Sequence, residues 1–194
     1  MSVLRLLRLP LAAALVLVAA SLAAGTAQAA RTGAGSADRL LAPVTACPGS
    51  DQLGAAVPDQ LAQMACLVNY ARTRAGLPKL RESKTLDHAA LLKLDLDIRC
   101  GAFTHTPCGQ PFQQVFADAG WSLAGSYSLG ENLAYGQDSL GSAQQIMQAW
   151  LDSPDHRANL LSRSYTTFGL AVRPATTFLG YQDIAIWANE FAGP

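Results

Sequence analysis

Three short polar segments of the chain contain the residue types that bind metal ions or transfer protons. These segments are Phe103-Thr104-His105, Gly130-Glu131-Asn132 and Ser153-Pro154-Asp155-His156-Arg157. Neutral imidazole and carboxylate groups are suitable zinc ligands, and a carboxylate beside a metal-bound water can act as a general base. The segments lie far apart in the chain, so only the fold could bring His105, Glu131 and His156 to one place.

Chemistry through a covalent intermediate has no supporting motif. Ser128, Ser153 and Ser164 lack the Gly-x-Ser-x-Gly setting of a nucleophilic serine. The cysteines are expected to be oxidised and therefore not to act as nucleophiles. His88 is expected to be an exposed or edge-of-core helix residue rather than a ligand.

The first 29 residues have the pattern of a secretory signal peptide. Arg5 and Arg8 give a basic start, an aliphatic core follows, and Ala27-Gln28-Ala29 is a small-x-small cleavage site. We expect cleavage between Ala29 and Ala30; a retained anchor helix is the alternative, which the cleavage site disfavours. No later stretch has the roughly 20 apolar residues of a membrane span. The protein is therefore expected to be secreted, with association to the cell envelope left open.

Length, composition and charge predict one domain with a short addition. The chain has 194 residues, of which 50% are hydrophobic and 14% charged, and this balance excludes a disordered chain. Removal of the signal peptide removes two arginines and no acid, which leaves 12 basic and 14 acidic residues and a formal charge of −2. Such a surface has no long-range attraction for nucleic acid, which we exclude as a partner.

Four cysteines in an exported chain predict two disulfides. Three pairings are possible. We favour Cys100–Cys108, which would close the loop around His105, together with Cys47–Cys66, which would tie the amino-terminal arm to the first helix. A metal site is the alternative for Cys100 and Cys108, but Cys-x₇-Cys lacks the close spacing of zinc ribbons.

Residues 58–194 form the predicted domain, and residues 30–57 are interpreted as a flexible arm without a clear period. Apolar stripes predict four helices in the domain, and Ser83 is well placed to cap the second. The helices are expected over Asp59–Gly76, Ser83–Gly101, Pro111–Gly120 and Ser142–Leu151, with a helical turn at Asp155–Leu161. An antiparallel pair is expected at Phe168–Val172 and Tyr181–Phe191, with a third strand between Trp121 and Leu129. The absence of β-α-β alternation predicts an α+β domain.

Five motifs between Leu61 and Phe191 resemble, in order and spacing, the bacterial branch of the CAP superfamily. This superfamily comprises the cysteine-rich secretory, antigen-five and pathogenesis-related proteins. The motifs are Asn69-x-x-Arg72-x-x-x-Gly76-Leu77-x-x-Leu80, Phe103-Thr104-His105, Gly130-Glu131-Asn132-Leu133-Ala134, Trp150-x-x-Ser153-Pro154-x-His156-Arg157-x-Asn159-Leu160-Leu161 and Ile186-Trp187-Ala188-Asn189-Glu190-Phe191. The resemblance implies a three-layer α-β-α sandwich with about four helices around a small antiparallel sheet, and a wide cleft.

The resemblance also implies that His and Glu side chains line this cleft. The implied cleft residues are His105, Glu131, Asn132, His156 and Arg157. Within this set, the two histidines and the glutamate are candidate ligands for a divalent metal such as zinc. Two positions depart from the family pattern, because many members have a histidine where this chain has Lys93 and a glutamine where it has Asn189.

Two functions are compatible with such a cleft. The first is a secreted binding module for an extracellular ligand, which could be a lipid, peptide, glycan or protein. The alternative is a metal-dependent hydrolase, in which His105 and His156 bind the metal and Glu131 is a ligand or the general base. In a third, purely structural interpretation, Glu131 accepts backbone N–H groups within its own turn and pairs with a histidine, which holds the loops of the cleft together.

Overall fold

The computed structural model describes residues 4–6 and 37–194. Its helices are α1 (Val57–Arg74), α2 (Lys84–Cys100), α3 (Gln114–Asp118), α4 (Ala143–Asp152) and α5 (Pro154–Leu160), with 3-10 turns at Pro107–Gly109 and Asp138–Gly141. Its strands are β1 (Leu4–Leu6), β2 (Arg81–Glu82), β3 (Ser128–Gln137), β4 (Thr167–Phe178) and β5 (Tyr181–Gly193). The predicted cleavage site and most of the predicted signal peptide lie outside the described residues. Of the described helices, none is long and apolar enough to span a bilayer.

The described strands form one mixed sheet in the order β1-β3-β5-β4-β2. The three long strands at its centre are antiparallel, and the short strands β1 and β2 pair in parallel with β3 and β4 at the two edges. The register of β3 with β5 places Glu131 opposite Glu190 and Asn132 opposite Asn189. This register determines which side chains meet at the candidate site.

Local sequence signals define the ends of the two longest helices. The Ser83 hydroxyl accepts a hydrogen bond from the backbone N–H of Leu86 and caps α2. This helix ends at Gly101, which adopts the left-handed conformation with φ of 59°. The first turn of α1 contains Pro58, and Gly76 follows the helix with φ of 70°. Both helices were predicted with nearly these bounds.

Helices cover both faces of the sheet. On one face, α1 and α4 pack on the strands through a large core that includes Met64, Trp150 and Trp187. On the other face, α2 packs on the strands through Leu94, which shares a core with Leu133 of β3. These three layers confirm the predicted α-β-α sandwich.

Three segments differ from their predicted structure. The third strand, which was expected between Trp121 and Leu129, runs instead over Ser128–Gln137 as β3. The loop expected between Val172 and Tyr181 is mostly strand, because β4 and β5 continue to a turn at Leu179 and Gly180. The proline and glycine in this region accompany a register irregularity and a turn tip rather than a long loop. The helix expected from Pro111 to Gly120 is limited to the five residues of α3.

The two disulfides pair as predicted. Cys47 bonds to Cys66 and Cys100 to Cys108, with Cα atoms 5.8 and 5.7 Å apart. The first disulfide ties the segment before α1 to that helix, and the second closes the loop that follows α2. No cysteine among the described residues is free.

Residues 37–56 belong to the predicted arm and pack against the domain. Ala37, Ala42 and Cys47 are buried in the core that α1 and α4 share. The Gln144 side chain of α4 donates to the Ala42 carbonyl oxygen at 2.9 Å. This segment therefore contributes to the core, while the proposed division of the chain at residue 58 stays a prediction.

Candidate functional site

Strand alternation places two glutamates on the sheet face that α2 covers. In β3, Glu131 is in phase with Leu133 and Tyr135, whose side chains lie in the core beneath α2. In β5, Glu190 is in phase with Ala188 of the same core. Because Glu131 and Glu190 are directly opposite in register, their carboxyl groups lie side by side on this face. The two residues have only 1% and 0% of their surface exposed.

His105 connects this buried pair to the surface. Its Nδ1 atom forms a hydrogen bond with Oε1 of Glu131. The His105 side chain is 10% exposed, whereas the Glu131 side chain is fully buried. His105 lies on the loop between α2 and α3, which the Cys100–Cys108 disulfide closes. The structure thus brings together two of the three predicted central residues.

Helix α2 contributes a buried ion pair to the same region. The Lys93 ammonium lies 2.6 and 2.7 Å from the two carboxylate oxygens of Asp97, one helical turn further on. The same ammonium donates to the Thr104 carbonyl oxygen at 2.5 Å. Lys93 and Asp97 are both buried. Through Thr104, this ion pair holds the loop at the residue next to His105.

Burial and neighbouring charges raise the affinity of this region for protons. Burial raises the pKa of the Glu190 carboxyl well above its usual range, and the adjacent Glu131 raises that pKa further, against the effect of Lys93. Among the described residues, no N–H or hydroxyl group donates to either Glu190 oxygen. The protonated form of Glu190, which can donate to Glu131, is therefore favoured. Burial likewise raises the pKa of Asp97 to about 7, although Lys93 acts to lower it.

The third predicted residue, His156, is attached to the opposite side of β3. Asn132 follows Glu131 in the strand, so its side chain points to the other face of the sheet. There its amide donates to the His156 carbonyl oxygen at 3.0 Å. Asn159 donates to the Asn132 side chain at 3.0 Å and to the Glu131 carbonyl oxygen at 3.1 Å. Arg157 donates to a carbonyl oxygen at the end of α4. These contacts of Asn132 and Arg157 fix α5 to its neighbours.

The donor groups are not arranged as a metal site. Residues 4–6 and 37–194 include all three predicted ligands, and within these ranges no group of three or more His, Cys, Asp or Glu side chains could hold a metal ion. His105 and Glu131 bond to each other, and both carboxylate oxygens of Asp97 contact an ammonium. The predicted metal set therefore does not fit the geometry of the residues present.

The side chains of His105, Glu131 and Glu190 form a chain of hydrogen-bonding partners. Oε1 of Glu131 is bonded to His105, and Oε2 has no N–H or hydroxyl donor among the described residues. Oε2 is the oxygen left to accept the proton of Glu190. This chain of contacts orients the imidazole of His105, whose side chain is 10% exposed. The arrangement is suited to hydrogen bonding with a polar ligand.

Glu190 and Asp97 were not predicted as members of the site, although both have a signal in the sequence. Asp97 lies four residues after Lys93, and both fall on the buried stripe of α2. Glu190 continues the alternation of Ile186 and Ala188 along β5. Charged residues are rarely buried unless they are paired, so charges at buried positions of a helix or strand period indicate a polar cluster.

The fold and the match to a family model identify the domain as a CAP domain, also called an SCP domain. The chain belongs to the cysteine-rich secretory protein family, whose model matches residues 66–181. It is also similar to the uncharacterized protein YkwD of Bacillus subtilis (strain 168), with 30% identity over 131 residues that cover 66% of this chain and 44% of that protein. The chain thus spans less than half the length of this curated relative.

Solved structures of bacterial proteins share the fold. An extracellular protein containing an SCP domain, from Bacillus anthracis str. Ames, has a TM-score of 0.57 at 22% identity, over 71% of this chain and 41% of that one. An outer surface protein of Borrelia burgdorferi has a TM-score of 0.56 at 22% identity, over 67% of this chain and 89% of that one. At these identities, the likeness shows the fold alone.

Proposed function

We propose that this chain is an exported CAP-domain protein that binds an extracellular ligand where His105 reaches the surface. The observation that carries the proposal is the contact between this partly exposed imidazole and the fully buried carboxyl of Glu131, which Glu190 faces from the next strand. Burial of ionisable groups is costly, and apolar replacements of buried charge clusters are often at least as stable. A scaffold without a binding role would gain little from this cluster.

Export is supported by independent features of the chain. Disulfides persist in oxidising compartments outside the cytosol, and both pairs of cysteines are bonded. The amino-terminal residues carry the pattern of a signal peptide. Similar structures include proteins described as extracellular and as an outer surface protein. We therefore infer secretion, with or without retention at the cell envelope.

The ligand is defined here by chemistry rather than by name. An imidazole that is held by a carboxylate can exchange hydrogen bonds with a peptide, a glycan, a lipid headgroup or a protein surface. The alternative function was a metal-dependent hydrolase with Glu131 as general base and with His105 and His156 as ligands. The donor groups do not fit the metal that this mechanism needs, so the binding module is the function that the geometry favours.

Binding measurements on the purified protein test the proposal. Synthetic peptides, cell-wall glycan fragments and phospholipid vesicles are titrated separately, in buffer that contains a chelator. The wild type is compared with His105→Ala and with the matched control His88→Ala, which removes an exposed histidine from α2. We expect one probe class to bind, with a loss of affinity of about tenfold or more in His105→Ala, since one good hydrogen bond contributes about this much.

The control separates a specific site from a general effect of losing a histidine. His88→Ala should bind as the wild type does. Equal affinity of the wild type and His105→Ala for every probe that binds would place the binding surface elsewhere. Absence of binding to all three probe classes would overturn the proposal for these ligands.

A further inference from the structure

A lysine ammonium lies among the buried carboxyl groups of the site. An ammonium has three N–H donors, and the three acceptors around Lys93 are the two oxygens of Asp97, at 2.6 and 2.7 Å, and the Thr104 carbonyl oxygen, at 2.5 Å. The residue is only 1% exposed. Its donors are therefore saturated by protein groups, away from solvent.

The charge of Lys93 extends its influence beyond Asp97. Glu190 experiences the charges of Lys93, Asp97 and Glu131, so these four groups form one electrostatic cluster. The cluster contains three carboxyl groups and one ammonium, and His105 contacts it from the surface side. We call these four residues, Lys93, Asp97, Glu131 and Glu190, the buried ionic cluster.

The Lys93 ammonium supplies the positive charge that a bound metal ion would otherwise supply to these carboxyl groups. A divalent ion would need oxygens from these same carboxyl groups, yet both oxygens of Asp97 contact Lys93 and one oxygen of Glu131 contacts His105. It would also lie close to a fixed positive charge in a region of low dielectric constant, where repulsion is strong. The mismatch between the donor set and a metal ion thus has a physical cause within the chain.

We infer that Lys93 is the resident cation of the buried ionic cluster, so that its ammonium balances the buried carboxyl groups and the cluster binds no metal ion. Lys93 is also a positioning residue, because its bond to the Thr104 carbonyl oxygen holds the loop at the neighbour of His105. The inference concerns the residues beneath the site of the proposed binding function but does not depend on which ligand binds there. Metal titration tests the resident cation, and probe binding in chelator tests the ligand site.

The first test is a zinc titration of the purified protein. The protein is first treated with a chelator to remove any bound metal, and zinc binding is then measured by calorimetry. We expect the wild type and His105→Ala to give the same zinc affinity within about twofold, since any zinc then binds at surface groups only. Stoichiometric zinc binding by the wild type that weakens tenfold or more in His105→Ala would overturn the inference. This arm needs no change at Lys93 and is decisive by itself.

Removal of the ammonium should convert the cluster into a cation site. Lys93→Met keeps an unbranched side chain but leaves Asp97, Glu131 and Glu190 without their positive charge. We expect this variant to bind zinc at least tenfold more tightly than the wild type. The gain should disappear when Glu131→Gln is added. If Lys93→Met gains no zinc affinity, the ammonium does not replace a metal ion and the inference fails.

A second lysine of α2 provides the matched control. Lys84 also pairs with an aspartate on its own helix, at 3.1 Å from Asp87, but its side chain is 96% exposed. Lys84→Met removes the same charge from the same helix and should leave zinc affinity unchanged within about twofold. Thermal unfolding with and without zinc reports on both variants, because a ligand that binds only the folded state raises its melting temperature. If Lys93→Met does not fold even with zinc, the wild-type titration decides the question.

Discussion

Two neighbouring positions of one strand pair have opposite chemistry. Glu131 and Glu190 face α2, whereas Asn132 and Asn189, one residue along in each strand, face the α1 and α4 side. Each asparagine donates to a backbone carbonyl oxygen at 3.0 Å. The two glutamates depend instead on other ionisable side chains, which are His105 and the ion pair of α2. One pair is held by fixed neutral contacts, and the other by charges that change with pH.

This difference distinguishes the scaffold from the site. The asparagine pair attaches α5 and β4 to the centre of the sheet without any change of charge. The glutamate pair places a carboxyl group with a raised pKa, that of Glu190, beneath the partly exposed His105. Stability on the asparagine side should therefore be independent of pH and of salt, and stability on the glutamate side should depend on both.

Loss of the Lys93 charge should cause the largest change in stability on the glutamate side. Lys93→Met leaves the buried Asp97 carboxyl group without its partner and raises its pKa further. Breaking a buried ion pair in this way should cost about 3–5 kcal/mol in the free energy of unfolding at pH 7. Urea unfolding measures this loss. The exposed Lys84→Met control should unfold as the wild type does, because solvent screens its ion pair.

The double variant Lys93→Met/Asp97→Leu sharpens the same prediction. Removal of both partners eliminates the unpaired buried carboxyl group, so most of the lost stability should return. An equal or greater loss in the double variant would show that Lys93 stabilises the protein through packing rather than through charge.

The next largest effect is expected from a change of pH, which should alter the free energy of unfolding. The pKa of Asp97 is about 7 in the folded protein, against about 3.9 in an unfolded chain. The folded state therefore binds more protons than the unfolded state between these values, and stability falls as the pH rises through this window. We expect a decline of about 2–3 kcal/mol between pH 5 and pH 8, since one pKa unit corresponds to about 1.4 kcal/mol.

Neutral replacements should reduce this decline. The raised pKa of Glu190 acts in the same direction as that of Asp97. Asp97→Asn and Glu190→Gln should therefore each flatten the dependence of unfolding free energy on pH, and together they should nearly remove it. A wild-type protein that becomes more stable from pH 5 to pH 8 would contradict the account of the glutamate side.

The smallest effect is expected on the asparagine side. Asn132→Ala removes the amide that donates to the His156 carbonyl oxygen and accepts from Asn159. The expected loss is about 1–2 kcal/mol, the usual range for a buried neutral hydrogen bond. The same value should be obtained at pH 5 and at pH 8. A loss that changes strongly with pH would link Asn132 to the buried ionic cluster.

Much of the fold could be predicted because its signals are local. The apolar stripes of α1, α2 and α4, the cap at Ser83 and the stop at Gly101 all act within a few residues of the chain. The even number of cysteines predicted two disulfides, and the pairing favoured among the three possible ones is the observed one. The long β4–β5 hairpin was predicted as two shorter strands, because Pro174 and Gly180 are compatible with either a loop or an irregular strand and turn.

The composition of the site was less accessible because it depends on register. Motif resemblance pointed to His105 and Glu131, which the structure joins, and to His156, whose backbone contacts Asn132 on the other side of β3. Nothing local in the sequence shows that Glu190 lies opposite Glu131. Only the pairing of two strands that are far apart in the chain brings these carboxyl groups together.

The carbon-13 NMR titration of the glutamate carboxyl groups tests the glutamate pair most directly. We expect Glu190 to lose its proton at a pH well above the value of about 4.3 that is usual for glutamate. In Glu131→Gln, the pKa of Glu190 should move down towards its usual range, because the neighbouring negative charge is gone. A Glu190 carboxyl that titrates near its usual value in both proteins would contradict the account.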